Sequence, residues 1–83
     1  MANRVAVIAI IAENVQASGE INAQLHEYSD FIIGRMGLPY RERNMNIITI
    51  AIDAPQDVIN ALSGKLGRIP GVTAKAVTSK EQA

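Results

Sequence analysis

Arg35, Arg41 and Arg43, three of the chain's eight basic residues, stand within nine positions of one another around Tyr40, with Glu42 among them. Guanidinium groups grip carboxylates and phosphates bidentately, and a tyrosine adds a flat face and a hydroxyl. The cluster is therefore a candidate for recognising a small anion or a charged partner. It sits in "GRMGLPYRER", residues 34–43, where Gly37, Leu38 and Pro39 read as the turn of a hairpin. Glu42 can pair with a neighbouring arginine, so a solvated hairpin tip competes with the binding reading.

A second candidate is the segment "ENVQASG" after the first apolar run, with Glu13, Asn14 and Gly19 as possible pocket residues. Loops at strand ends that lead into a helix N-terminus can hold small anions, although such a loop can equally be a plain connection. His26 is the only histidine, and there is no cysteine. A lone histidine is a poor metal site, because stable sites need three or four convergent ligands, so a partly exposed helical histidine is expected. Ser18, Ser29, Ser63 and Ser79 have no second histidine to activate them, and no G-x-S-x-G elbow occurs. "GRMG" and "SGKLG" fit neither phosphate-loop nor dinucleotide patterns. The expectation is a binding protein without catalysis, cofactor or metal.

The elements that must position these residues follow from periodicity. "RVAVIAIIA" (4–12) is apolar on both alternating faces, the pattern of a central strand. Ile21, Leu25 and Tyr28, with Ser18 one turn earlier, trace one face of a helix that Asn14 or Ser18 could cap. "DFIIGRM" and "MNIITIAID" read as the second and third strands. "DAPQDVINALSGKLG" reads as a helix with Asp53 or Ala54 at the cap, Pro55 in the first turn and Gly67 as a left-handed stop. "IPGVTAKAV" supplies a turn and a fourth strand, and residues 79–83 read as a frayed tail. The order strand, helix, strand, strand, helix, strand predicts a single α+β domain over 1–83, with its core at about 4–78. This is the ferredoxin-like fold, a four-stranded antiparallel sheet with both helices on one face.

Eighty-three residues allow one core and a marginal one. Without cysteine, oligomerisation is the remaining route to extra stability. Two helices cover one sheet face only, so a first strand apolar on both sides predicts a homodimer or homotetramer. Val7, Ile8 and Ile10 are its candidate interface residues, with the open face left undecided. Eight basic against eight acidic residues give a neutral chain, a weak footprint for direct nucleic-acid binding. The apolar run after Arg4 is stopped by Glu13, too short to span a membrane, so a cytoplasmic protein is expected.

"IIGRMGLPYRER" together with "DAPQDVINALSGKLGRIPGV" resembles a family of small standalone proteins described as regulators of the iron-only hydrogenase system. The resemblance runs over nearly the whole chain. It implies an ACT-type domain, similar also to the C-terminal domain of the nickel-responsive repressor, and a regulatory role. The repressor's histidine and cysteine ligands have no counterparts in "FIIGRMG" or "NIITIAID". The Asp-x-x-Pro-Gly-like turn of amino-acid-binding ACT domains is replaced by "AENVQASGE". With three residues ahead of Arg4, no ribbon-helix-helix DNA-binding unit is expected, and any regulation of transcription is expected to act through a partner. The rival expectation is a non-sensing scaffold in a hydrogenase-maturation assembly.

Overall fold

Burial along the first strand, β1 (Arg4–Ala12), alternates strictly. Ala6, Ile8, Ile10 and Ala12 are buried, whereas Val5, Val7 and Ile11 keep 42%, 41% and 42% of their surface in solvent. In the computed structural model, which describes residues 2–82 and side chains through residue 80, this alternation sorts the molecule into two layers.

The remaining elements are α1 (Ser18–Glu27), β2 (Ile32–Tyr40), β3 (Met45–Ala54), α2 (Gln56–Gly67) and β4 (Val72–Gln82). Short 3₁₀ turns at Val15–Ala17, Ser29–Phe31 and Arg41–Arg43 join some of them. The sheet order is β2-β3-β1-β4 and every pairing is antiparallel. The chain thus has the ferredoxin-like α+β architecture expected of its element order.

Register settles which residues share a side. Ile8 lies opposite Ile50 and Ala76, and Ile10 opposite Ile48 and Ala74. Of these, Ile8, Ile10, Ile48 and Ile50 meet Ile21 and Leu25 of α1 and Ile59, Leu62 and Leu66 of α2 in one core, with Ala74 packed against it and Ala76 exposed. Each such side chain, taken fully out of water, contributes about 1.5–3 kcal/mol. Ile8 and Ile10 are 0% exposed beneath the helices. Their assignment to an oligomer interface is therefore corrected; of the three expected residues only Val7 stands on the open face.

Local expectations differ from the structure at four places. Gly37, Leu38 and Pro39 lie within β2, and the chain reverses at Arg41–Asn44, where Asn44 takes the left-handed conformation at φ 52°. Proline is tolerated there because β2 is an edge strand. Pro55, rather than Asp53 or Ala54, caps α2, its carbonyl accepting from the N–H groups of Val58 (3.0 Å) and Ile59 (3.1 Å).

Gly67 stays helical, and the left-handed turn falls instead at Gly71, φ 79°. The expected frayed tail is strand through Gln82, which pairs with Arg4 after an irregularity in register; Ala83 lies outside the described residues.

Gly71 has the least room of the glycines. A Cβ there would stand 2.8 Å from Cβ of Asn14. Its carbonyl also accepts the Glu13 N–H at 2.8 Å. Gly71→Ala is accordingly expected to lose at least about 1–2 kcal/mol from the left-handed conformation alone. Urea unfolding reads this as a lower midpoint at unchanged slope, and an unchanged midpoint would contradict it.

Candidate functional site

Ser18, Asn22, His26 and Ser29 recur at steps of four, four and three residues, so they form a polar stripe beside the core stripe of Ile21 and Leu25. Across from that stripe, β2 presents Arg35, Gly37 and Pro39 on the helix side, opposite Ile50, Ile48 and Asn46. The space between α1 and β2 is a groove with two hollows. One, of about 430 Å³, is lined by Asn22, Leu25, His26, Ser29, Ile32 and Arg35. The other, of about 210 Å³, is lined among others by Ser18, Gly37, Pro39, Asn46 and Ile48. Asn22 and Arg35 belong to both.

Two hydrogen bonds fix the groove's polar groups. Arg35 donates from Nη2 to Oδ1 of Asn22 at 3.1 Å, and Asn46 donates from Nδ2 to Oγ of Ser18 at 3.2 Å. Glu27, the acid in the last turn of α1, is committed elsewhere: its Oε1 lies 3.7 Å from Nζ of Lys65 on α2. That ammonium stands 5.0 Å from the centre of the Tyr28 ring. The Tyr28 hydroxyl, and then Glu27, hold it above its ordinary range. Among the described residues, no carboxylate lines either hollow.

Arg35 does not join the other arginines. Five residues separate it from Tyr40, which places the two on opposite faces and about 17 Å apart along the strand. Tyr40, Arg41 and Arg43 are exposed at the reversal between β2 and β3. The hairpin cluster is thus divided: Arg35 belongs to the groove, and the rest to the tip.

Glu13, Asn14 and Gly19 line neither hollow. Asn14 acts on the backbone, its Oδ1 accepting from the Gln16 N–H at 3.0 Å and its carbonyl from the Ala17 N–H at 2.9 Å. Glu13 is exposed, as is Gly19 at the start of α1. Of the residues singled out from the sequence for binding, Arg35 is the one that borders this groove, whereas Ser18, Asn22 and Asn46 were not among them. The spacing of Ser18, Asn22 and His26 was the available signal.

The other side of the sheet has no covering layer. Leu38, Ile47 and Ile11 make one continuous row across three strands, and Ala51, Val7 and Val77 make another. Met36 and Val77 are 67% and 72% exposed. Thr73 and Lys75 on β4 give this plane a polar margin. Among the described residues, no group of three or more potential ligands could hold a metal ion, and no helix is long and apolar enough to cross a membrane.

Comparison with known proteins places this geometry. The family described as "TM1266-like: Iron-only hydrogenase system regulator, putative" matches residues 4–76. The solved structure of the uncharacterized protein TM1266 from Thermotoga maritima is 40% identical and superposes with a TM-score of 0.89, covering 94% of this chain and 99% of that one. A formyltetrahydrofolate deformylase from Pseudomonas putida matches with a TM-score of 0.68 at 10% identity, over 93% of this chain and 29% of its own, a likeness of fold alone. No curated protein matches.

The loop geometry makes Asn14 a capping residue. Asn14→Ala is expected to cost about 1 kcal/mol in urea unfolding, and Asn14→Asp much less, because aspartate keeps the accepting oxygen. Equal stability of the alanine variant and the parent would remove the capping role.

Proposed function

The chain belongs to the iron-only hydrogenase system regulator family, and from that membership we propose that it is a regulatory binding module that works as a homo-oligomer through the bare face of its sheet. The observation that carries this reading is the extent of that face. Four strands at about 4.8 Å and nine residues at about 3.3 Å make a plane of roughly 30 by 19 Å. With the relief of its side chains added, it approaches the ~800 Å² per partner of a standard interface.

A second copy is the occupant this surface fits best. Its two rows of apolar residues lie within one polar margin, and a neutral chain brings no net repulsion to the pairing. A two-fold arrangement places the same rows on both sides of the contact. One face closes a dimer; a tetramer needs a further surface, for which the free edge of β2 is available.

On this reading the module binds and does not catalyse, and it works in the cytoplasm. Its regulatory signal passes through a small ligand or a protein partner, since a balanced charge argues against direct contact with nucleic acid. A non-sensing scaffold is the alternative. A sensor gains thermal stability with its ligand, whereas a scaffold responds only to its protein partner.

Native mass spectrometry and light scattering test the assembly. The parent protein is expected as a multimer, and Val7→Asp or Ile11→Asp as a folded monomer with its far-ultraviolet dichroism retained. Ile8→Asp, which buries a charge in the core, is expected to unfold the chain. A monomeric parent, or a multimer indifferent to both open-face substitutions, would sink the proposal.

A further inference from the structure

The groove between α1 and β2 has a chemical polarity that its lining residues do not satisfy among themselves. The Oδ1 acceptor of Asn22 is taken by Arg35, and Oγ of Ser18 already accepts from Asn46. Apart from the Asn46 amide oxygen and the Ser29 and His26 side chains, which can accept, what these pairs leave over among the described residues is donors: the other guanidinium N–H groups, the Asn22 amide N–H groups and the Ser18 hydroxyl. Arg35 brings a permanent positive charge, and no acid lines either hollow to neutralise it.

Beneath these donors lie Leu25, Ile32 and Ile48, an apolar floor. Gly37 leaves the wall open, since a Cβ added there would meet nothing within 4 Å. The larger hollow, about 430 Å³, is of the size that holds small molecules.

We propose that this groove is a binding site for a small organic carboxylate, whose charged end is held by Arg35, Asn22 and Ser18 and whose apolar end lies on Leu25 and Ile32. A planar carboxylate matches the guanidinium fork and presents acceptors only, the complement of the donors left free. A short hydrocarbon tail uses the apolar floor, which an inorganic oxyanion cannot. An ammonium group on the ligand would find no acid in the lining to receive it, which sets the class apart from zwitterions. The site is on the helix side of the sheet, so it stands or falls separately from self-association through the opposite face.

The test is a heteronuclear NMR titration at constant ionic strength, with butyrate as probe and inorganic phosphate and butylamine as comparisons. Butyrate is expected to give saturable shifts confined to the amides of residues 18–29, 32–39 and 46–48, with butylamine giving none. Arg35→Gln should weaken butyrate at least tenfold, and Gly37→Leu, which fills the smaller hollow without meeting the backbone, should weaken it comparably. Phosphate binding as tight as butyrate would overturn the assignment to an organic carboxylate. Non-saturating shifts, or binding untouched by Arg35→Gln, would overturn the site itself. Running the titration on Val7→Asp as well separates the two proposals, because a change of assembly leaves the groove's residues in place.

Discussion

The pairing of β1 with β3, Ile8 against Ile50 and Ile10 against Ile48, is the contact on which the other features depend. Strand side chains alternate with a period of two, so a slip by one residue would move every core isoleucine to the opposite face. Once this register is set, α1 and α2 have one apolar plane to cover, and their stripes of Ile21, Leu25, Ile59, Leu62 and Leu66 close over it. The same register turns Val5, Val7, Ile11 and Ile47 outward. A core and an exposed apolar plane arise together from one pairing, and neither can be altered without moving the other.

The layout of the sheet also creates the groove. β2 is an edge strand, and its residues from Ile33 to Tyr40 are exposed. α2 lies mainly against β4, away from β2, and the polar stripe of α1 looks across an open channel at Arg35 instead of packing down on it. Asn22 and Asn46 then make hydrogen bonds that span helix and sheet. These bonds orient the two amides and occupy Oδ1 of Asn22, leaving the rest of the Arg35 guanidinium to the channel.

Much of this was legible in the residues. The double-faced β1 and the stripe of Ile21 and Leu25 on α1 are period patterns that no later contact reversed. Two of the differences have their physical origin in glycine and proline. "GLP" has the composition of a turn, yet an edge strand accepts a proline, and the reversal fell to Asn44, whose side chain tolerates the left-handed region. Gly67 looked like a helix stop, but the positive φ was needed at Gly71, where Asn14 crowds the backbone from across the fold. That crowding is a tertiary fact with no local signature. Arg35 and Tyr40 seemed one cluster because proximity in sequence hides the reversal of faces along a strand. The tail was misread because Arg4 of β1 supplies the partner for its far end.

The place of β1 in the sheet bears on how the chain is made as well as on what it becomes. The first strand of this domain to be synthesised lies between the third and the fourth, with Val7 opposite both Ala51 and Val77. Its apolar residues therefore have no strand partner until β3 has emerged, and no second one until β4 has followed. Pairings so distant in sequence are slow to form, since the whole intervening loop must be closed first. The most apolar segment of the molecule is thus the one that waits longest, and the early chain depends on nascent-chain protection more than its small size suggests.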